Sequence, residues 1–537
     1  MSKSIAATKR SFELAWGIAI ATMSMGICDG FAFSGAVLRS NIPYCKDTLL
    51  TLSSSIATIE ADDEYNPDTA GVFVYGFPLP PTPSRPNDDE LIASLRRVPI
   101  TSLEEPLPAR NLEDPSSAHP LRVLIAGGGL GGLALATTLT QLGYDVHVFE
   151  QATQYKPFGG PIQIQSNALW ALKAMSPVLY EAIEEVGVRT GDRLSGIKDG
   201  KRYKEGWLVK FDAATPAIKC GLPLTLAINR VVLQEIFLKY GVAEERVHTS
   251  SRVVSYRTLR DEEGSGVEVT LQDGQKVYGD ALIGCDGIWS RVKHQMEGLD
   301  PTEAGPAFAT KHARYSGYNC FTGTCKHTPK DIDSVAYKVF LGQEQYLGCT
   351  DCGNGWQHWW AFLPDPPGGA KQVPADVDAD YEPMLDRLKR EFAGWSPEIH
   401  DLFDATSPEV VKCRPLFDRL PMTKGWTDGC VALMGDACHP TMPNLGQGGA
   451  MSIEDAFVLG KELDGTKHTN EICRRLKAYE RRRFVRASIA QFLSRNGSDL
   501  LVDWDKLRNT PVIGPIAMLF INMIQPLTMN YLYSSEF

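Results

Sequence analysis

The chain has 537 residues, enough for two or three domains, and its 43% hydrophobic and 22% charged residues are typical of globular proteins. A formal net charge of −11 argues against a nucleic-acid partner, because no basic face is evident that would neutralise phosphates. The twelve cysteines are scattered singly, which excludes a dense disulfide framework and favours a reducing compartment.

The first residues have the pattern of a targeting signal. Three basic residues precede the apolar run Leu14–Cys28, which is long enough for a signal-peptide core but short for a membrane span. Small residues then precede Phe33, so we predict a signal peptide over residues 1–32. The Ala32–Phe33 junction resembles the bipartite plastid pre-sequences of algae with secondary plastids. A plain secretory signal is the alternative.

Residues 33–118 are rich in proline, serine and acidic residues, as in the stretch Gly76–Pro86. Little of this segment could bury an apolar core, so we predict a transit peptide followed by a disordered or extended linker. On this interpretation the folded domain begins near His119.

Residues 121–150 predict a dinucleotide fold. Leu121–Ala126 is an apolar strand, and the glycine-rich turn after it opens an apolar helix over Leu133–Leu142, followed by a second strand that ends at Glu150. Such a turn brings backbone N–H groups and a helix N-terminus to a pyrophosphate, and the terminal acid accepts hydrogen bonds from a ribose hydroxyl. The candidate cofactor-binding residues here are Gly127, Gly128, Gly129, Leu130, Gly131, Gly132 and Glu150.

The middle of the chain alternates apolar and polar residues with many β-branched and aromatic side chains, mainly over residues 195–280 and 310–415. This pattern predicts an antiparallel sheet inserted between the cofactor-binding parts, within one domain over residues 119–463. Several aromatic residues of this region are candidates for an apolar substrate wall, although core packing alone would also explain them. They are Tyr315, Tyr318, Trp356, Trp359, Trp360 and Phe362.

Two later segments indicate that the dinucleotide is a flavin. One strand ends in Asp286-Gly287, and another ends in Gly435-Asp436 before a glycine-rich loop and a helix over Ala450–Leu463. An acid at a strand end can hold ribityl hydroxyls, and a helix N-terminus favours the negative charge of a reduced flavin. The fold class is therefore α/β: an FAD-binding Rossmann-like domain, an inserted antiparallel β-sheet substrate domain and a helical C-terminal region.

Three further features are interpreted as structural rather than catalytic. His439 is expected to orient the loop before Pro440 rather than to act as a base. Cys349 and Cys352 are interpreted as two unlinked thiols, with a redox-switch disulfide as the alternative. No metal ligands and no catalytic side chain are assigned.

Residues 464–537 are predicted to form C-terminal helices and an apolar tail. Three prolines interrupt Pro511–Phe537, so a membrane-spanning helix is improbable. The tail could be an interfacial foot that admits a lipid-soluble substrate, or a lid packed on the enzyme.

The order of these segments resembles the single-component, FAD-dependent aromatic hydroxylases, and residues 121–463 resemble the zeaxanthin epoxidase family within them. Gly160–Ala168 and Met442–Gly449 are the most specific stretches. Others are Tyr315–Tyr318, Val339–Gly342, Pro366–Gly369 and Asp418–Pro421. Plant members of the family carry a forkhead-associated domain after the flavin domain, and we expect none in this chain.

The resemblance implies FAD contacts at Gly127–Gly132 and Glu150, and it adds Arg230 to them. It places Asp286 and Asp436 along the ribityl phosphate, and Gly446, Gly448 and Gly449 at the isoalloxazine. Asp286 is also expected to have a structural role, because a carboxylate at a strand–helix turn can bond to the local backbone. A surface charge is the alternative for Arg230.

The resemblance further implies epoxidation of xanthophyll β-rings, from zeaxanthin to antheraxanthin to violaxanthin or from diatoxanthin to diadinoxanthin, through a flavin C4a-hydroperoxide formed with O2. NADPH would supply electrons, either directly or, as the family suggests, through ferredoxin, in the plastid stroma with peripheral thylakoid or envelope association. One alternative is a hydroxylase of a phenolic or other apolar substrate. Another is a non-catalytic flavin- or pigment-binding protein.

Overall fold

The computed structural model describes residues 72–74, 77–79, 82–84, 88–105, 120–155, 160–259, 266–300, 313–365, 383–422, 424–502 and 533. The predicted signal peptide, most of the predicted transit segment and all of the apolar tail except Tyr533 lie outside these residues. The described residues form one compact unit.

Along the chain, strands of the dinucleotide-binding part alternate with strands of the inserted sheet. The strands are β1 (Val72–Val74), β2 (Phe77–Leu79), β3 (Arg122–Ala126), β4 (Asp145–Phe149), β5 (Pro161–Ile164), β6 (Val188–Arg189), β7 (Leu194–Asp199), β8 (Trp207–Phe211), β9 (Leu226–Asn229), β10 (Val247–His248), β11 (Val253–Leu259), β12 (Gly266–Leu271), β13 (Lys276–Gly279), β14 (Ala281–Gly284), β15 (Arg314–Lys326), β16 (Val335–Leu341), β17 (Tyr346–Asp351), β18 (Trp356–Pro364), β19 (Lys412–Asp418), β20 (Thr427–Asp428) and β21 (Val431–Leu433). The helices are α1 (Asp88–Leu95), α2 (Leu130–Gln141), α3 (Ser166–Met175), α4 (Pro177–Val186), α5 (Ala214–Lys219), α6 (Arg230–Tyr240), α7 (Arg291–Met296), α8 (Met384–Glu391), α9 (Pro397–Asp404), α10 (Gln447–Leu463) and α11 (Thr469–Val502).

The dinucleotide sheet has six strands in the order β10-β4-β3-β14-β21-β20, all parallel except β20. Strand β3 lies in the middle and is buried along its whole length, as its apolar sequence requires when helices cover both faces. Helix α2 is apolar on nearly every side because it is enclosed by this sheet and by α10. The Rossmann-like fold is therefore present, and β14 and β21 complete a sheet that β3 and β4 begin.

The second large sheet has seven strands in the order β19-β15-β18-β17-β16-β7-β8, mostly antiparallel. Helices α8 and α9 cover one face, where Trp359 packs edge-on against Phe403 with ring centroids 5.2 Å apart. The strands come from residues 194–211 and 314–418. The predicted inserted sheet is present, but its extent differs from the prediction.

Residues 253–279 do not join the inserted sheet. They form a separate three-stranded meander, β11-β12-β13, whose buried residues belong to the core of the dinucleotide-binding part. Alternation of apolar and polar residues identifies strands but not the sheet that they join, which explains the wrong assignment. Another three-stranded sheet, β5-β9-β6, is formed by strands that alternate in the chain with those of the two large sheets.

The linker prediction is wrong for residues 82–84 and 88–105, which we call the N-terminal strap. Asp88 forms an ion pair with Lys239 on α6 at 2.9 Å, and Leu95 is 3% exposed. The strap also supplies the carbonyl oxygens of Val98 and Ser102 as acceptors for two buried arginines, Arg246 and Arg122. The folded domain therefore begins well before His119.

Helix α11 forms most of the described C-terminal region and packs along α10. Among the described residues, no helix combines the length and the apolar character needed to cross a bilayer.

Candidate cofactor cleft and substrate wall

The glycine-rich turn between β3 and α2 has little room on one side and open space on the other. A Cβ added to Gly132 would lie 2.0 Å from the carbonyl oxygen of Gly127, and one added to Gly127 would lie 2.4 Å from that of Cys285. A Cβ on Gly129 would meet nothing within 4 Å. The first and last glycines are thus needed by the fold, whereas Gly129 borders space that a ligand can occupy.

Glu150 lies directly beside this turn. Its carboxylate accepts hydrogen bonds from the N–H groups of Gly128 at 2.7 Å and Ala152 at 2.9 Å. The hydroxyl of Tyr155 approaches Gly128 and has no hydrogen-bond partner in the described part of the chain. Sequence reasoning missed Tyr155, because a single tyrosine after the second strand carries no recognisable signal.

Asp286 follows β14 and reaches the same turn, since Gly127 packs against the backbone of Cys285 and Asp286. One carboxylate oxygen, Oδ2, accepts hydrogen bonds from the N–H groups of Arg291 at 2.7 Å and Val292 at 3.3 Å. These bonds confirm the predicted structural role at the strand–helix turn. The other oxygen is buried without a partner among the described residues, and burial raises the pKa of the carboxyl group.

The loop after β21 and the start of α10 form the opposite border. Gly446 adopts φ of +62°, and no side chain caps the N-terminus of α10. A Cβ on Gly449 would lie 3.8 Å from Leu130, and one on Gly448 would lie 4.0 Å from Asp436. The predicted residues of the turn, the Gly-Asp segment and the loop therefore converge at one cleft.

Asp436 and Arg230 line this cleft. The Asp436 side chain is exposed, yet the surrounding protein raises the pKa of its carboxyl group by desolvation. Arg230 is half-buried, desolvation and the nearby Arg414 lower the pKa of its guanidinium, and its Nε has no partner among the described residues. Both side chains therefore have accessible surface although protein surrounds them, as expected for groups that face an internal cleft. This location argues against the surface-charge alternative for Arg230.

Arg419 is a candidate that sequence reasoning missed. It is 5% exposed, and all three of its guanidinium nitrogens lack a hydrogen-bond partner within the described ranges. Asp286 and Asp436 are among the acids whose charges act on it. The residue stands in the family-specific stretch Asp418–Pro421, which was the available signal. A buried cation with no acceptor indicates that an acceptor-rich ligand completes this region.

Behind the cleft, Cys438, His439 and Asp455 lie close enough to hold a metal ion. The Asp455 carboxylate already contacts His439 Nε2 at 2.6 Å, Arg483 Nε at 2.7 Å and the N–H of Gly435 at 3.0 Å. Burial opposes ionisation, but His439 and Arg483 outweigh it and lower the pKa of this carboxyl group to about 2. The set is thus an ion-pair network that holds the loop, which agrees with the role predicted for His439.

The face of the seven-stranded sheet opposite α8 and α9 forms the candidate substrate wall. Along β18 the half-buried His358 and Trp360 alternate with buried residues, and Trp360 lies 5.6 Å from the ring of Tyr337. His358 is near Arg230, and desolvation together with that cation lowers the pKa of its imidazole to about 4. The wall is therefore apolar, and its His358 end adjoins the cofactor cleft.

The predicted aromatic residues do not all lie on this wall. Tyr318, Trp360 and Phe362 do, within an apolar cluster that includes Leu341 and Tyr346. The others pack elsewhere: Trp359 points into the helix-covered core, Trp356 packs against the core of the dinucleotide part, and Tyr315 donates a hydrogen bond to the carbonyl oxygen of Asp365 at 2.6 Å.

The two thiols of the Cys349–Cys352 pair are both free and buried, and they belong to different core clusters. This arrangement agrees with two unlinked thiols.

In the apolar tail, Tyr533 is 1% exposed and packs with Ala217 and Leu222, as the lid alternative expects at this position. The remainder of the tail lies outside the described residues.

Comparison with known proteins identifies relatives for most of the chain. The family described as FAD binding domain matches residues 388–492, and that described as NAD(P)-binding Rossmann-like domain matches residues 125–160. A chloroplastic zeaxanthin epoxidase of Prunus armeniaca is 39% identical over 421 residues, which cover 75% of this chain and 59% of the relative. That of Arabidopsis thaliana is 41% identical over 378 residues, which cover 68% and 53%. The chain thus spans between half and three fifths of these relatives.

Solved structures share the fold. Klebsiella pneumoniae HpxO complexed with FAD and uric acid has a TM-score of 0.63 at 24% identity, covering 78% of this chain and 97% of that one. A salicylate hydroxylase substrate complex has a TM-score of 0.58 at 21% identity, covering 77% and 98%.

Proposed function

We propose that the chain belongs to the zeaxanthin epoxidase family, to members of which it is 39–41% identical, and that it is an FAD-dependent monooxygenase that epoxidises the β-rings of a xanthophyll. The observation that carries the proposal is the meeting of the glycine turn, the uncapped N-terminus of α10 and an apolar sheet face at one cleft. The relatives are named as zeaxanthin epoxidases, and the same reaction is proposed here.

The residues of the cleft suit FAD. The open space beside Gly129 supports a pyrophosphate site there, and Arg230 and Arg419, whose guanidinium groups include nitrogens without a partner among the described residues, would supply positive charge. Asp286 and Asp436 would accept hydrogen bonds from ribityl hydroxyls, and Glu150 would accept them from the adenosine ribose. When bound, FAD supplies activation of O2 and transfer of one oxygen atom to a ring double bond.

The protein's own contribution is binding, orientation and exclusion of water. The free N–H groups at the start of α10 favour negative charge at the flavin edge, an effect of about 0.3–1 kcal/mol at exposed sites and up to about 2 kcal/mol in buried ones. The partly exposed Tyr318, Tyr337 and Trp360 provide a dry surface against which an apolar ring can pack. No protein side chain needs to act as a nucleophile or base in this scheme.

The proposal extends to electron supply and location. We propose that NADPH supplies electrons through ferredoxin or its reductase, and that the enzyme acts in the plastid stroma at the surface of a thylakoid or envelope membrane. The relatives' chloroplastic names support the compartment. Zeaxanthin and diatoxanthin are both proposed as substrates.

The test is a pigment assay with protein that begins at residue 70. The protein would receive FAD, NADPH, ferredoxin and its reductase, labelled O2 and either pigment in lipid micelles. We expect an epoxide that carries one labelled oxygen atom, and relative rates would rank the two pigments. Flavin that cycles to H2O2 without epoxide would reject the xanthophyll, and a phenol hydroxylated under the same conditions would establish the rival activity. Protein that binds no flavin would reject the proposal altogether.

A further inference from the structure

The two stretches most specific to the family, Gly160–Ala168 and Met442–Gly449, contact each other through side-chain amides. Gln165 Nε2 donates a hydrogen bond to the carbonyl oxygen of Leu445 at 2.7 Å, and Gln447 Nε2 donates one to Gln165 Oε1. Gln165 thus contacts both the backbone of the loop and the first residue of α10.

Asn167 continues this chain of hydrogen bonds into the protein. It is 1% exposed, and its Nδ2 donates to Gln447 Oε1 at 3.2 Å and to Glu454 Oε1 at 2.7 Å. Glu454 is itself fully buried and accepts from Arg483 and Arg486 of α11 at 2.7 Å each. Asn167 is therefore fixed from behind by an ion-paired carboxylate.

This arrangement decides where the amide of Gln447 goes. Both polar atoms of that amide are engaged, one by Asn167 and the other by Gln165. The first N–H groups of a helix have no partner within the helix, so a glutamine amide oxygen that was not held elsewhere could accept hydrogen bonds from them. Held as it is, Gln447 leaves the N-terminus of α10 without a side-chain cap.

We propose that Asn167, assisted by Gln165, is a positioning residue that holds Gln447 away from the N-terminus of α10 and so keeps its N–H groups free for the flavin edge. The inference rests on the proposed function, because it assumes that FAD binds in this cleft. It assigns a role to the Gly160–Ala168 stretch, which makes no contact with the glycine turn through these side chains.

A merely structural role for the same amides makes a different prediction. Loss of a buried amide would lower stability but would leave the reduction potential of the bound flavin unchanged. A positioning role predicts a more negative potential, because a helix N-terminus that is capped or displaced stabilises the anionic reduced flavin less. The potential, rather than activity, therefore separates the two roles.

The experiment uses the full-length, FAD-loaded protein and the variants Asn167→Ala, Gln165→Ala and Gln447→Ala, with the double variant Asn167→Ala/Gln447→Ala. Asn319→Ala is the matched control: Asn319 is equally buried and loses comparable hydrogen bonds, to Tyr315 and Asp365, outside the cleft. FAD stoichiometry, midpoint potential and H2O2 released per NADPH oxidised would be measured for each.

We expect FAD to be retained, the potentials of Asn167→Ala and Gln165→Ala to become more negative and their released H2O2 to rise about two-fold or more. Gln447→Ala lacks the amide that could cap α10, so its potential should stay near that of wild type, and the double variant should match Gln447→Ala because Asn167 acts through Gln447. Unchanged potentials in flavin-loaded Asn167→Ala and Gln165→Ala, a double variant that shifts as far as Asn167→Ala, or an equal shift in Asn319→Ala would overturn the inference. Gln165 is half-buried, so its variant decides the outcome if Asn167→Ala does not fold. A wild-type chain that binds no FAD would instead refute the proposed function.

Discussion

Two glycines of the same turn should respond to substitution in opposite ways. The backbone at Gly129 has an extended conformation that any residue adopts, and the space beyond it is open. We expect Gly129→Val to leave the free energy of unfolding within about 0.5 kcal/mol of wild type. The affinity for FAD should fall ten-fold or more, because the valine occupies the space of the pyrophosphate. Flavin titration and urea unfolding measure the two quantities.

Gly132→Ala is the matched variant. Its Cβ would lie 2.0 Å from a backbone oxygen, so we expect a loss of about 1–3 kcal/mol of folding free energy from overpacking. Full flavin occupancy in Gly129→Val would contradict the assignment of the phosphate to this turn, whatever Gly132→Ala does.

A partly buried histidine pair should give the fold a pH dependence. His147 Nδ1 and His248 Nε2 lie 3.0 Å apart. The charged neighbours of the pair are Asp145, Arg122 and Arg246. Burial is the main cause of a lowered pKa at both, and it brings that of His248 to about 4. The unfolded chain then binds more protons than the folded one, so stability should fall as the pH drops from about 6.5 towards about 4.

Urea unfolding at a series of pH values checks this expectation. His248→Asn should flatten the fall in the free energy of unfolding, whereas His468→Asn, outside this cluster, should not. A pH profile that is identical in wild type and His248→Asn would exclude the pair as its source.

At the scale of elements, the N-terminal strap should behave as part of the folded enzyme. Protein that begins at residue 120 lacks the carbonyl acceptors for Arg122 and Arg246 and the buried contact of Leu95. We expect it to lose on the order of 3 kcal/mol of stability relative to protein that begins at residue 70. Thermal unfolding of the two proteins tests this, and equal melting temperatures would show that the strap adds nothing.

The two faces of β18 provide a second prediction at this scale. Trp359 is fully buried against α9, so Trp359→Ala should lose about 3–5 kcal/mol of stability. Trp360→Ala should cost less stability but should raise KM for the xanthophyll, because Trp360 belongs to the proposed substrate wall. Steady-state kinetics beside denaturation curves would separate the effects. A Trp360→Ala enzyme with unchanged KM would remove this residue from the wall.

At the scale of the whole molecule, the features that can be predicted from the sequence are those marked by a short stretch of neighbouring residues. The turn at Gly127–Gly132, the acid at Glu150 and the Asp286 and Asp436 segments each stand at a strand end, and parallel strands bring such ends together. Family resemblance supplied Arg230, for which spacing gave no reason.

What the sequence could not predict depends on distant partners. The sequence of the strap gives no sign of a core, because the partners of the strap, such as Lys239 and Arg246, lie far along the chain. Residues 253–279 alternate like substrate-sheet strands but join another core. That Arg419 has no hydrogen-bond partner among the described residues is a property of its three-dimensional surroundings, so no pattern of residue types could reveal it.

The order of strands in the dinucleotide sheet also sets the order in which the protein can fold. Strands β3, β14 and β21 are neighbours in the sheet. Five strands of the seven-stranded sheet, β15 to β19, nevertheless lie between β14 and β21 in the chain. A chain that emerges from a ribosome or an import pore N-terminus first must wait with one side of β14 unpaired. Such long-range pairing is slow, and an open apolar edge invites aggregation. Productive biogenesis of this enzyme therefore favours a chaperone that shields β14 until residues 431–433 arrive.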